Sequence, residues 1–402
     1  MVISGGGMVG LALALALGQG GLKVLVVDVL APATTVAPSF DGRVSALAYA
    51  AVRMMRALKV WPHLEPQAQP IREILVSDGA IGRTASPFSL HFDSEEVGVD
   101  SLGHIAENRH TRAALHAAVA ADTNISLIAP ASVSALAAEP ARVTVRLSDG
   151  SEFKAALVIA AEGRESQLRT QMGIGVIGWS YPQTGIVATV HHARPHKGVA
   201  YEHFLPSGPF AILPMTGDRS SLVWTETKGK APAMLALDDA DFDAEVAARF
   251  GAHLGDTKVV GSRWSYPLKF HLARDYVRPR FALAGDCAHG IHPIAGQGLN
   301  LGLKDAAALA ETILDAARLG RDIGAVDVLK RYERWRRFDS FTLAASTDAL
   351  NRLFSNDIAP LRHLRDLGLG MVDAFGPARR FFMRHAGGDI GKLPRLMKGE
   401  AA

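Results

Sequence analysis

A glycine turn between a short strand and a helix, almost at the start of the chain, limits the fold more than any other feature. Val2–Ser4 reads as a strand, Gly5-Gly6-Gly7-Met8-Val9-Gly10 fits the pattern GxGxxG, and Met8–Gln19 follows as a helix. Gly5, Gly7 and Gly10 suit, in turn, a tight bend, close approach of backbone to a pyrophosphate, and close helix–strand packing. Residues 23–28 form the next strand, and its unbroken Leu/Val content suits a parallel strand buried on both faces. Asp28 ends that strand 18 residues after Gly10, where a carboxylate accepts from the hydroxyls of an adenosine ribose. Taken alone, the turn and Asp28 could also be a helix start and a strand-end cap. Ser4 stands where an apolar residue is expected.

A second anchor lies towards the other end. Residues 280–284 read as a strand leading into Gly285-Asp286, then a polar turn, Pro293, the loop Ala295-Gly296-Gln297-Gly298-Leu299-Asn300, and a long alanine-rich helix. Asp286 is placed to accept from a ribityl hydroxyl. Free N–H groups around Gly298, Leu299 and Asn300 would stabilise negative charge at a helix N-terminus. A nicotinamide dehydrogenase needs the first motif and not the second, whereas FAD has a ribityl chain and a ring to be held. The pair points to FAD.

At 402 residues the chain has room for two or three domains. Residues 34–42 read as loop, 43–58 and 108–121 as helices, and 157–161 as a buried strand. Val143–Leu147 and the residues from Phe153 onward form a hairpin around Ser148-Asp149-Gly150. From Met172 to Arg274 the pattern is β (185–191, 210–214, 221–225), interrupted by a helix at 237–250. The expected architecture is α/β with α+β inserts. A discontinuous Rossmann-like FAD-binding domain takes 1–70, 102–171 and 275–345. A mainly antiparallel β-sheet substrate domain takes 71–101 and 172–274, and a helical C-terminal region takes 346–402.

A net charge of +3 gives no reason to expect a nucleic-acid partner, and the single cysteine, Cys287, excludes a disulfide framework or a Cys-rich zinc site. His191, His192 and His196 run along one strand and its turn without acidic support, so no metal is expected. Residues 331–338 (RYERWRRF) read as a solvated helix with a packed Trp335. There is no apolar run of the ~20 residues needed to span a bilayer, and no basic lead-in of a secretory signal. The expected location is the cytoplasm, with peripheral contact on the inner face of the membrane left open. Residues 375–385 set Arg379, Arg380 and Arg384 around Phe381, Phe382 and Met383; this suits an anionic membrane or a partner protein, or equally burial against the body.

Together these motifs resemble the class A FAD-dependent aromatic hydroxylases, the p-hydroxybenzoate hydroxylase-like superfamily, and most closely the branch acting in ubiquinone biosynthesis. The resemblance rests on residues 5–10, Asp41-Gly42-Arg43, Glu107-Asn108-Arg109, Glu162-Gly163-Arg164-Glu165-Ser166, 201–214 (YEHFLPSGPFAILP), 285–305 and 393–399 (LPRLMKG), and spans nearly the whole chain. It implies that Arg43 contacts the FAD pyrophosphate and that Asn108 reaches the cofactor. Glu162-Gly163 falls on a motif usually written Asp-Gly and tied to both FAD and NAD(P)H. Pro293, Ala295 and Gly296 would shape the oxygen-reaction site, none acting as acid or base, and Cys287 would be a small packing residue. The implied activity uses NAD(P)H and O₂ to place one oxygen atom on the ring of a polyprenylated phenol, with the cofactor supplying the difficult chemistry. Other readings are a hydroxylase of a small soluble aromatic acid, with Tyr201 or Arg219 as carboxylate clamp, and a flavin reductase of an isoprenoid chain. A non-catalytic flavin-binding component of a biosynthetic complex is a third, suited by the short first strand, Ser4 and Glu162. The ring position, the choice of NADH or NADPH and the oligomeric state are not set by the sequence.

Overall fold

The three-residue strand Val2–Ser4 lies at the centre of a six-stranded sheet, paired in parallel with Val24–Val27 on one side and Val158–Ala160 on the other. Ile125–Ile128 and Phe281–Leu283 extend the parallel pairing outwards, and Val277–Arg278 closes one edge antiparallel. Strands covered on both faces need apolar residues at every position, which is why no alternation is seen in Val24–Val27. The helices Met8–Gln19 and Gln297–Arg318 pack against one another, and Leu11, Leu13, Leu15, Leu303, Leu309 and Ile313 are all buried in the same core. This computed structural model describes residues 1–79, 89–292, 296–354, 372, 375–389 and 391–402.

A second sheet has eight strands. Val176–His192 and Thr257–Ala273, 17 residues each, pair antiparallel along most of their length. Arg219–Thr227, Gly208–Met215, Val199–Leu205, Glu73–Asp78 and Ser89–Asp93 follow outwards in that order. Only Val199–Leu205 and Glu73–Asp78 are parallel neighbours. At the opposite edge His289–Gly290 pairs with His271 and Leu272, joining this sheet to the chain that follows Asp286. The hairpin at Val143–Leu147 forms with Glu152–Ala155, and Val133–Ala138 adds a third strand.

Residues 43–58 are not one helix. Val44–Ala48 is a strand paired with Gly103–Glu107, and only Tyr49–Ala57 is helical. The Asn300 amide fixes that strand by donating to the Ala46 carbonyl (2.8 Å) and accepting from the Ala48 N–H (3.0 Å). A partner 252 residues away overrides local helix preference. A short helix, Pro32–Thr35, also opens the expected loop. The helix at 237–250 begins at Asp239, because the Asp238 side chain caps it by accepting from Asp241 N (2.8 Å). Among the described residues no helix is long and apolar enough to cross a membrane.

Candidate functional site

A single cavity of about 1750 Å³ extends from the N-terminal glycine turn to the eight-stranded sheet. Gly5, Gly7, Asp28, Arg43, Asn108, Glu162, Gly163, Asp286, Gly296, Gly298, Leu299 and Asn300 all line it. Gly10 does not: it packs beneath Gly5, whose carbonyl oxygen would lie 1.9 Å from a Cβ at that position. Pro293 and Ala295 lie outside the described residues.

The turn itself requires glycine. Gly5 has φ +109°, and a Cβ there would come within 2.3 Å of the Ala161 carbonyl oxygen. At Gly7 a Cβ would meet nothing within 4 Å, so the backbone faces open space. The helix that follows has no side-chain cap and no acidic residue in its first turn, which leaves its leading N–H groups to a ligand. Asp28 accepts from Gly6 N through Oδ2 and from Leu30 N through Oδ1, keeping further lone pairs for hydroxyl donors. The helix Gln297–Arg318 likewise starts without a side-chain cap, after Gly296 at φ +61°. Two uncapped helix N-termini on one cavity suit a ligand with two electron-rich regions. The Asn300 side chain is engaged with the strand described above, so its contribution towards a ligand is limited to the backbone.

Asp41 organises the next group from behind the lining. It is buried and accepts from Arg43 Nε (2.8 Å) and Nη2 (3.0 Å), Asn108 Nδ2 (3.0 Å) and Arg112 Nη2 (2.9 Å). Burial alone would raise its carboxyl; hydrogen bonds and charge from Arg43, with Asn108 and Arg112, hold it well below the usual carboxylate range. Asn108 also accepts from Ser45 Oγ (2.6 Å), so its amide is a scaffold piece. Sequence reasoning missed Arg112. Its side chain is buried, it lines the cavity, and its Nη1 has no hydrogen-bond partner, an orphan donor suited to an anion. Its position four residues after Asn108, on the same helix face, was the available signal.

Ser4 and Glu162 explain one another. Ser4 Oγ donates to Glu162 Oε1 (2.6 Å), while Glu162 Oε2 accepts from Ser166 Oγ (2.7 Å) and Leu168 N (3.2 Å). The glutamate thus ties the end of the central strand to the start of the helix Gln167–Gln171. Its backbone N–H donates to Cys287 Sγ (3.0 Å), and burial pushes that thiol up to about 12, which leaves it a packing group.

Asp286 presents an exposed carboxylate with no side-chain partner among the described residues, while its carbonyl accepts from His271 Nε2 (2.8 Å). The turn is fixed from beneath. Gly285 N donates to Asp305 Oδ2 (3.1 Å), and the same carboxylate accepts from His289 Nε2 and from Arg336 Nε (2.8 Å). All three side chains are buried. Burial would raise Asp305, but the charges of His289 and Arg336 lower it. Arg336 is therefore not part of a solvated face, as residues 331–338 suggested; the i, i+4 series Tyr332, Arg336, Ser340 is wholly buried.

At the sheet end the lining turns apolar, with Ile74, Val76, Leu90, Phe92, Phe204 and Leu213. Arg219 is not part of that lining: it donates to the Thr216 carbonyl (3.2 Å) and pairs with Glu107 (3.7 Å). Tyr201 reaches the lining but packs its ring 4.4 Å from His253. His192 and His196 engage both ring nitrogens with protein atoms, among them Arg194 O, Ser220 Oγ, Met215 O and Gly198 N.

Residues 1–339 match the model of a family described as an FAD binding domain. The chain is 48% identical to the ubiquinone hydroxylase UbiL of Rhodospirillum rubrum, covering 99% of this chain and 92% of that protein. It is 35% identical to the 3-demethoxyubiquinol 3-hydroxylase of Escherichia coli, covering 96% and 97%. In fold it is similar to the p-nitrophenol 4-monooxygenase PnpA of Pseudomonas putida DLL-E4, with a TM-score of 0.79 over 98% of both chains at 19% identity.

Proposed function

The chain belongs to the FAD-binding domain family, and from that premise we propose that it is an FAD-dependent monooxygenase. On this reading it uses NAD(P)H and O₂ to hydroxylate the ring of a polyprenylated phenol in ubiquinone biosynthesis. The observation that carries the reading is the continuity of the cavity, which has donors for an anionic dinucleotide at one end and an apolar sheet wall at the other. The uncapped N-terminus of Met8–Gln19, Asp28, Arg43, Arg112 and Asp286 would hold FAD, and the free Arg112 nitrogen fits its negative charge. Bound there, FAD supplies electron transfer and oxygen activation, which protein side chains lack. The remaining work falls to this chain. The two helix termini neutralise charge, the Asp41 cluster fixes the guanidinium groups, and the apolar wall excludes water and seats a prenyl chain.

A small aromatic acid fits less well. Its carboxylate needs a cation, and at the apolar end the four strands Glu73–Asp78, Ser89–Asp93, Val199–Leu205 and Gly208–Met215 contain neither lysine nor arginine, the cations of the lining (Arg43, Arg112, Arg164 and Lys269) lying on other elements. On the helix Gly376–Ala386, whose Met383 packs with Leu90, Phe92 and Phe204, the lining residues Phe381 and Phe382 are 56% and 45% exposed, beside Arg380 and Arg384. Their place suggests peripheral contact with an anionic membrane from which the substrate enters; failure to co-sediment with anionic vesicles would refute this.

The hydroxylase reading is tested by mass spectrometry of quinone intermediates in cells lacking the gene. One under-hydroxylated prenyl phenol should accumulate and be cleared by wild type but not by Gly5→Ala, whose glycine turn cannot take a side chain. An unchanged pool would remove the substrate assignment.

A further inference from the structure

Alternate residues of neighbouring strands line the sheet end of the cavity, as the period of two requires. That face is apolar at Val76, Phe92, Ala200, Phe204 and Ala211, and the carboxylate that lines the cavity among them is Glu202. Glu202 stands opposite Ala211 on one side and Val76 on the other, between Ala200 and Phe204 on its own strand. Among the described residues no side chain hydrogen-bonds or ion-pairs with its carboxyl, and loss of water raises it to about 7. A carboxylate on an apolar wall is costly unless something pairs with it. Among the described residues the wall supplies no such group, whereas a ligand seated against it can bring one.

No charged group on the described elements around it bears on its carboxyl. Glu73 pairs with His91, Glu226 with Arg249, and Arg379 with Glu96. His203 bonds to Ser77. Asp78 lies one pair further along the same face, opposite Phe204. Arg380 and Arg384 are on the C-terminal helix. None of these contributes to the raised carboxyl of Glu202, whose cause is burial.

We propose that Glu202 receives the ring hydroxyl of the substrate, orienting the phenol by a hydrogen bond and accepting its proton as the ring is oxidised. This rests on the hydroxylase reading above. The O–H bond breaks, its electron pair stays on the phenol oxygen and spreads into the ring, and the proton passes to a Glu202 carboxylate oxygen. A phenol with an ordinary pKa of about 10 shares its proton only partly in the resting complex. Transfer becomes favourable as attack on the ring draws electron density from that oxygen. A carboxyl near 7 is ionised for much of the neutral range yet more basic than an ordinary glutamate, as a general base requires.

The test uses the FAD-loaded full chain with 2-geranylphenol and its methyl ether, which cannot donate. Binding is read from the perturbed flavin absorbance across pH, and product by mass spectrometry, in wild type, Glu202→Gln and Glu202→Asp. Wild type should prefer the phenol by roughly 10- to 100-fold, and the preference should fade below pH about 7 as Glu202 takes up a proton. Glu202→Gln should retain FAD and thermal stability, lose most of the preference and lose the pH dependence; Glu202→Asp should restore part of both. If Glu202→Gln keeps the wild-type preference and pH dependence while wild type forms hydroxylated product, the assignment to Glu202 fails and the hydroxylase reading stands. If wild type binds neither compound and forms no product, both fail.

Discussion

Asp41 allows the cofactor end of the cavity to be perturbed without altering a residue that lines it. Asp41→Asn keeps the shape and removes the charge shared by Arg43, Asn108 and Arg112. Oδ2 accepts from Arg43 Nη2, Asn108 Nδ2 and Arg112 Nη2, and Oδ1 from Arg43 N and Nε, so whichever oxygen is replaced, the new NH₂ group would direct hydrogens at neighbours that are donors themselves. The two arginines differ in what they lose. The Arg43 side chain is 49% exposed, so water replaces most of its pairing. The Arg112 side chain is 11% exposed and already has an unpartnered Nη1. Stranding a buried charge costs about 3–5 kcal/mol. Because the edge of Arg112 reaches the cavity, the lower figure applies, and the FAD-free variant should lose about 3 kcal/mol of stability at neutral pH.

Urea unfolding of FAD-free and FAD-loaded protein, followed by circular dichroism, measures this. An anion near Arg112 would return a counter-charge, so the loss should shrink when FAD is bound. The sign with pH is fixed by the lowered carboxyl of Asp41. Its stabilisation is complete above its unfolded pKa of about 4 and fades as pH falls through the lower folded value. Asp41→Asn should therefore lack that component of acid sensitivity. An FAD-free variant within about 0.5 kcal/mol of wild type, or an equal loss in both forms, would refute the reasoning.

Gly5→Ala forces a side chain into φ +109° and against the Ala161 carbonyl, so it should cost at least about 2 kcal/mol and abolish FAD retention; a variant that purifies with stoichiometric flavin would contradict this. Ser4→Ala leaves Glu162 short of a donor and should cost about 1 kcal/mol. Combined with Glu162→Gln in a double-mutant cycle it should show a coupling of about 1 kcal/mol, whereas additive losses would argue against the contact. Asp286→Ala removes an exposed carboxylate, so FAD-free stability should stay within about 0.5 kcal/mol. FAD affinity should nevertheless fall roughly 10-fold, and unchanged retention in flavin titrations would take Asp286 out of the site.

The parts legible in the sequence were those specified locally. The strand, glycine turn and helix at the N-terminus follow from adjacent residues, as does the Asp-Gly hairpin. What stayed hidden depended on partners far along the chain. The strand Val44–Ala48 looks helical until Asn300 occupies its backbone groups. Arg336 looks like one more basic residue on an exposed helix until Asp305 is found beneath it. Glu202 was inside a motif noted only for its likeness to one branch, and its importance lies in its alternation with apolar neighbours across three strands. The most instructive case is Ser4 with Glu162. Each departs from its expected pattern, and counted separately they weaken the cofactor reading twice. They are one contact of 2.6 Å across 158 residues, in which a longer carboxylate reaches a hydroxyl placed to receive it. An apolar residue at position 4 would leave Glu162 short of a donor, and a glutamine at 162 would put an uncharged amide where Ser4, Ser166 and Leu168 N donate. Two departures that satisfy each other preserve the end of the central strand, so neither one is by itself a sign that the site has been lost.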